Sequence, residues 1–303
     1  MVLNIDEQYK ARIESMRDFT YKWDAEAFDD PSKPILKISK SSLGSFNWCP
    51  KKYEFSYIER LPQDQTEAMR KGTILHNYRE DFFNEFDIKK AESMNNSEII
   101  EYATSLMPVD EYFDISLTVA AFEAQRFISA KSENKIHEYL PIVNEEMFDC
   151  EITIPKNVNK NFTLKQDYVV RLQGIIDRIF IEDGKLVPFE YKTGGWKDYK
   201  TTSMRQEMAF YQLMIENCTE EVLAKNGLNK DMEVSHWGWY YPAANHITVE
   251  PVKKRSMTSV MNNIAKLIHA YEQKHFETKF YYKTCSHCSY FGICDAANTD
   301  TWL

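Results

Sequence analysis

Residues 173–195 read QGIIDRIFIEDGKLVPFEYKTGG, and the folding of this stretch decides the rest. Two β-rich runs flank Asp183-Gly184, a dipeptide suited to the left-handed backbone of a tight hairpin. Ile175, Ile176, Ile179, Val187 and Phe189 predict a largely buried hairpin. Side chains two apart on a strand share a face, so Glu190 and Lys192 point the same way. Antiparallel pairing across the turn brings Asp177 alongside them. In the bland reading these charges form an exposed cross-strand ion pair. The apolar neighbourhood argues against it, because a buried charge needs a reason. Two carboxylates beside a lysine make a site for Mg²⁺ or Mn²⁺. The chemistry on offer is a polarised phosphate and a more acidic bound water, with the lysine to orient that water or offset developing charge.

Outward from the hairpin, residues 147–154 (MFDCEITI) form a preceding strand, and the character of the chain changes from helix to strand at about Met147. Downstream, a helix over 203–217 is followed by aromatic and β-branched strands over 234–241 and 246–252. A helix over 257–276 then leads into a cysteine-rich tail. Upstream, residues 1–30 read as an acidic helix ending at Pro31 and Pro34. From Ser39, a serine-rich start precedes Leu43, Phe46, Pro50, Tyr53 and Tyr57, spaced by three and four as on a buried helix face. Pro50 starts a new helical segment or bends this one. Residues 66–86 form a second helix, and 91–140 read as further helices without an interpretable motif.

Gly174–Asp177 (G-x-x-D) followed by Glu190–Lys192 (E-x-K) resembles the metal-binding core of the PD-(D/E)XK nuclease superfamily. Gly72–His76 resembles the G-x-x-x-H element of its RecB-like branch, in which the histidine is a metal ligand. The resemblance implies an α/β fold: a restriction-endonuclease-like core, with a central mixed sheet flanked by helices, plus an N-terminal helical region and an iron–sulfur staple. It implies an N-terminal extension over 1–38, a helical region over 39–145 carrying Cys49 and His76, a nuclease core over 146–280, and a cysteine cluster over 281–303. The implied Mg²⁺ or Mn²⁺ ligands are His76, Asp177, Glu190 and the carbonyl of Tyr191, with Lys192 and Tyr211 as catalytic residues. Gly72, His76 and Glu80 share a helix face, which makes Glu80 an accessory candidate. The branch normally carries Q-x3-Y on the helix after the core. Here Gln206 lies five residues before Tyr211, so Glu207 takes the usual glutamine position and Gln206 is a second accessory candidate. Ser203 and Gln206 also fit a capping box.

Thr284–Cys294 (TCSHCSYFGIC) spaces Cys285, Cys288 and Cys294 as C-x2-C-x5-C. Three soft thiolates suit a metal, and a closed site needs a fourth. With Cys49, in its Cys-Pro context, the set resembles that of the CRISPR-associated RecB-like exonucleases and the AddB nuclease domain. There it implies a [4Fe–4S] cluster. Four thiolates suit zinc as well. Either group ties distant parts of the chain together, so ligand binding joins the folding free energy. Cys150 and Cys218 lie in apolar surroundings and read as inert buried thiols.

The chain has 303 residues, 43% hydrophobic and 14% aromatic, an ordinary globular composition with a sizeable core. Its polar start, MVLNIDEQYKARIESM, lacks the apolar core of a signal peptide, and no apolar run is long enough for a bilayer. The expected setting is cytoplasmic, without a membrane partner. A net charge of -9 argues against a protein that coats nucleic acid by bulk electrostatics, but leaves room for a local groove. Trp196, Trp237, Trp239, Tyr240 and Tyr241 are candidates for stacking on unpaired bases, or else core residues. No Walker motif occurs, so any helicase is a partner. The leading reading is a metal-dependent DNA exonuclease acting on single-stranded ends, in repair, recombination or CRISPR adaptation, with a helicase or CRISPR-adaptation protein as partner. The alternative is a catalytically weak DNA-end-binding module with the cysteines as a structural metal staple.

Overall fold

The computed structural model describes residues 34–63 and 67–295. The helix read over residues 1–30 lies outside them. In chain order the elements are β1 (Lys37–Ile38), α1 (Lys40–Trp48), α2 (Pro50–Tyr53), a π-helical turn (Glu54–Ile58), α3 (Glu67–Glu85), α4 (Ile88–Glu92), α5 (Asn96–Ser105), α6 (Phe113–Ser132), β2 (Val143–Ile154) and β3 (Tyr168–Glu182). They continue with β4 (Lys185–Tyr191), α7 (Thr201–Asn217), α8 (Glu220–Lys225), β5 (His236–Tyr241), β6 (His246–Pro251), α9 (Lys254–Glu272) and α10 (Tyr282–Cys285). No helix among the described residues is long and apolar enough to cross a membrane.

The chain forms two compact units, each assembled from separate segments. One is drawn from the described residues of Gln65–Cys150 and Gly174–Met257, the other from those of Met1–Asp64, Glu151–Gln173 and Thr258–Leu303.

In the first of these units the Asp183-Gly184 turn has φ of +50° and +76°, the double left-handed geometry of a type I′ hairpin. It sets β3 antiparallel to β4, in register from Glu182↔Lys185 to Arg178↔Phe189. The chain then leaves the sheet through α7 and α8 and returns as β5, parallel to β4. A tight turn reverses it into β6, antiparallel to β5. Strand β2 pairs with β3. The result is the mixed sheet flanked by helices that the motifs imply, with α7 packed on β4 and β5. Phe180, Val187, Phe189, Tyr191 and Tyr240 form one buried cluster of this sheet. The close approach of β4 and β5 requires Gly238, because a Cβ there would lie 2.1 Å from a ring carbon of Phe189. Between α3 and α6 a second core, including Phe82, Phe86, Ala120 and Phe127, accounts for the helical region that carries no motif.

In the other unit Ser39 caps α1 through a reciprocal box with Ser42, and Cys49-Pro50 opens α2 with proline at its first position. The short β1 lies parallel to the first half of β3, at Lys37↔Arg171 and Ile38↔Leu172. It had no signal in the sequence beyond two residues.

Three local expectations change. Ile175 is exposed, although the rest of the hairpin's apolar set is buried. Helix α7 starts at Thr201, so Ser203 lies inside its first turn and bonds back to the Lys200 carbonyl instead of capping with Gln206. Tyr57 is exposed, whereas Leu43, Phe46, Pro50 and Tyr53 are buried as the spacing predicted. The π-helical turn inserts a residue before the next turn, and the helix face rotates away from its 3.6-residue course.

Candidate metal centre

The hairpin register sets Asp177 beside the segment Glu190-Tyr191-Lys192. Asp177 and Glu190 are only 4% and 2% exposed, which removes the exposed ion-pair reading. The Tyr191 amide donates to Asp177 Oδ2 at 3.0 Å. Lys192 Nζ reaches Glu190 Oε1 at 2.6 Å and Glu207 Oε2 at 2.7 Å. Burial alone would lower the lysine's pKa, but the two carboxylates outweigh it and raise the pKa above its ordinary value. From α7, Tyr211 donates its hydroxyl to Glu190 Oε2 at 2.6 Å, and burial beside that carboxylate pushes the phenol well up. Glu190 is thus held by a lysine on one oxygen and a phenol on the other.

The helix α3 brings His76 to the same region. Its Nδ1 lies 3.8 Å from Asp177 Oδ2 and 2.8 Å from Glu145 Oε1. Among the described residues, His76, Glu145 and Asp177 are the one group of three His, Cys, Asp or Glu side chains whose ligand atoms all lie within 4.8 Å of one another. An imidazole and two carboxylates suit a divalent cation. Glu190 faces Lys192 and Tyr211 and is not in this group.

Glu145 was not singled out in the sequence. It sits in β2 with φ of +56°, a left-handed value uncommon for a residue other than glycine. Around it the burial alternation of the strand slips by one position: Val143 is buried, then Phe148, Cys150, Ile152 and Ile154. That slip is the mark of a bulge, which re-aims a side chain. In the sequence the slipped alternation of VNEEMFDCEITI was its only signal.

Two buried arginines complete the electrostatics. Arg178 Nη1 reaches Glu145 Oε1 at 3.3 Å and the Asp177 carbonyl at 2.5 Å. Arg79 lies over the Tyr191 ring, 4.4 Å from its centroid. Burial depresses the Arg79 pKa while Asp177 opposes the shift, and a guanidinium remains cationic throughout. Burial raises the Glu145 pKa, but the His76 hydrogen bond and the arginines more than offset it, leaving the pKa below the ordinary value. Tyr191 is anchored from its far end, where its hydroxyl donates to the buried Glu123, itself paired with Arg126 at 2.7 Å. Glu80 lies exposed on α3, and Gln206 is half-buried on α7.

Of the stacking candidates, Trp237, Trp239, Tyr240 and Tyr241 are buried in the sheet. Trp196 is half-buried and stacks on His246, with centroids 3.9 Å apart.

The four cysteines fall in the other unit. Cys49 is buried at the start of α2, and Cys285 ends α10. Cys288 donates its amide to the Cys285 carbonyl at 2.8 Å, and Cys294 to that of Tyr290 at 3.0 Å. Cys288 and Cys294 pack on the buried cluster of Phe55, Leu61 and Tyr290. The Tyr290 hydroxyl accepts from Ser56 and donates to the Leu61 carbonyl, tying the tail to the segment that follows Cys49. Burial raises the Cys288 thiol pKa, with Cys49 and Cys294 adding to the effect. No three of the thiol sulfurs lie within 4.8 Å of one another. Four thiols gathered from both ends of the described chain are a donor set that fits a metal group. Cys150 and Cys218, read as inert buried thiols, are buried, and the Cys218 thiol donates to the Asp149 carbonyl at 3.5 Å.

The sequence profile of the PD-(D/E)XK nuclease superfamily matches residues 37–295. Among curated proteins none matches. Among solved structures, one described as "Crystal structure of SSO0001" is 12% identical, with 77% of this chain and 100% of that chain covered and a TM-score of 0.32. So low a score carries no structural argument.

Proposed function

Because the chain belongs to the PD-(D/E)XK nuclease superfamily, we propose that it is a Mg²⁺- or Mn²⁺-dependent deoxyribonuclease that hydrolyses single-stranded DNA from its ends. The observation that carries this reading is the convergence of His76, Glu145 and Asp177 beside Glu190 and Lys192. These residues would hold the divalent cation, which supplies charge to polarise a phosphate and to acidify water. Glu145 joins His76, Asp177, Glu190 and the Tyr191 carbonyl as a ligand candidate.

Each remaining group has a task. Lys192, its charge secured by Glu190 and Glu207, orients the attacking water and offsets charge developing on the phosphate. Tyr211 fixes the rotamer of Glu190, and Arg178 fixes that of Glu145. Glu123 holds the strand that carries Tyr191 and Lys192. Such supporting contacts set how accurately the reacting groups are placed.

A [4Fe–4S] cluster on Cys49, Cys285, Cys288 and Cys294 is the staple of this reading, supported by the family resemblance and by the C-x2-C-x5-C spacing of the last three. A strand-separating helicase or a CRISPR-adaptation protein, in the cytoplasm, is the kind of partner it implies. The test is cleavage of labelled single strands blocked at the 5′ or the 3′ end, with Mn²⁺ and with Mg²⁺. Shortening from one end only, lost in Asp177→Asn, is expected. Wild-type protein that cuts no better than this variant would sink the proposal.

A further inference from the structure

The rotation at Glu54–Ile58 leaves an aromatic ring where a buried one was expected. Tyr53 is 3% exposed and stacks with Phe276 at 5.9 Å and 18°, and with Tyr57 at 5.1 Å and 24°. Phe276 is buried, whereas Tyr57 is 41% exposed. Tyr57 is the open rung of a nearly parallel aromatic ladder. The backbone that presents it is π-helical, with the Glu59 amide bonded to the Glu54 carbonyl at 2.9 Å. Such turns are often found at functional sites.

Tyr57 lines a pocket of about 330 Å³ with Ser41, Ser45, Trp48, Lys52 and Ser56. Lys52 lies over the Trp48 ring, 4.6 Å from its centroid, and no carboxylate of the described residues is within ion-pair reach of it. The Ser45 hydroxyl oxygen is buried and has no hydrogen-bond partner. The pocket therefore offers a flat apolar face, a lysine that no carboxylate of the described residues pairs, and a serine hydroxyl with unused bonding capacity. An aliphatic ligand would leave the lysine and the hydroxyl unanswered. A nucleotide answers all three, with a base to stack, a phosphate to pair and polar edges to bond.

We propose that this pocket holds one unpaired nucleotide of a DNA strand, its base on Tyr57 and its phosphate on Lys52. The choice of a DNA strand as occupant rests on the nuclease reading above, and the test separates the two.

Binding of a fluorescein-labelled oligothymidylate to the full chain is measured by anisotropy without added divalent cation. A base–aromatic stack is worth about 1–3 kcal/mol, so Tyr57→Ala weakens binding about tenfold and Tyr57→Trp restores it. Lys52→Gln weakens binding and lowers the slope of log affinity against log salt by about 0.7. With wild-type protein, an abasic position scanned along the oligonucleotide costs affinity at one place. This arm needs no variant to fold. Hydrolysis of bis(p-nitrophenyl) phosphate with Mn²⁺ is the same in Tyr57→Ala as in wild type. The proposal is overturned if no abasic position matters, or if both variants bind as wild type. It is equally overturned if they lose thymidine monophosphate but keep the oligonucleotide, or if polyglutamate displaces the oligonucleotide more readily than DNA does. Tyr57-dependent binding by a protein that cuts neither substrate would uphold the pocket and end the nuclease reading.

Discussion

The carboxylate site and the cysteine cluster are both gathered from far-apart stretches of chain, but by different forces. At the carboxylate site, backbone register and hydrogen bonds hold nearly every side chain: Asp177 by an amide, Glu190 by Tyr211 and Lys192, Glu145 by Arg178 and His76. Of the cysteines, Cys288 and Cys294 are placed by packing on Phe55, Leu61 and Tyr290, and no three of the four sulfurs lie within 4.8 Å of one another. The first arrangement is braced by hydrogen bonds among its own groups. In the proposed reading the second is completed by the group that the thiols bind, which would then belong to folding more than to chemistry.

The sharpest way to break this contrast is to remove one group from each side. Asp177→Asn is expected to cut DNA about 10³-fold more slowly, a loss of the size seen when a key electrostatic group goes, with the melting temperature unchanged. Rates within tenfold of wild type would put the chemistry elsewhere. Cys288→Ser should do the reverse, costing about 4 kcal/mol or more of stability as the metal group is lost. Thermal melts and elemental analysis for iron and zinc read this out. A stable, iron-loaded Cys288→Ser that cannot cut would move the cluster into the mechanism.

Smaller effects probe the support of the carboxylate site. Glu145→Gln is expected to weaken Mn²⁺ affinity by roughly 10–100-fold by calorimetry, and an unchanged affinity would reduce Glu145 to a partner of Arg178. Gly238→Ala sets a methyl against the Phe189 ring and should cost about 1–3 kcal/mol by denaturant titration. The smallest effect is in acid. Glu145 titrates below its ordinary 4.5, so the stability it contributes is present above that pH and fades as pH falls through the lower folded value. Between wild type and Glu145→Gln, the difference in melting temperature should therefore shrink below about pH 4.5.

The parts of the molecule with a period or a turn signature were legible in advance. The hairpin could be read because Asp183-Gly184 fixes a turn and the turn fixes a register, which places Asp177 by Glu190 and Lys192 without further information. Tyr211 and Glu207 were legible as a pair four apart on a helix. Glu145 was not, because a bulge is a break in a pattern and carries no residue signature of its own. Glu123, Arg79 and Arg178 were hidden for another reason. Each is a buried charge, and only tertiary packing shows which opposite charge it meets. Tyr57 had the spacing of a buried residue, and a single π-turn was enough to reverse its role.

The position of Cys49 also bears on how the protein is made. On the chain, Cys285 lies 236 positions after it. A ribosome adding 5–20 residues per second needs roughly 10–50 s to cover that distance. Throughout that interval the Cys49 thiol and the Phe55–Leu61 surface wait for a tail not yet synthesised. The segment on which the tail comes to pack is thus open to chaperones, oxidants and metal donors until synthesis is nearly complete.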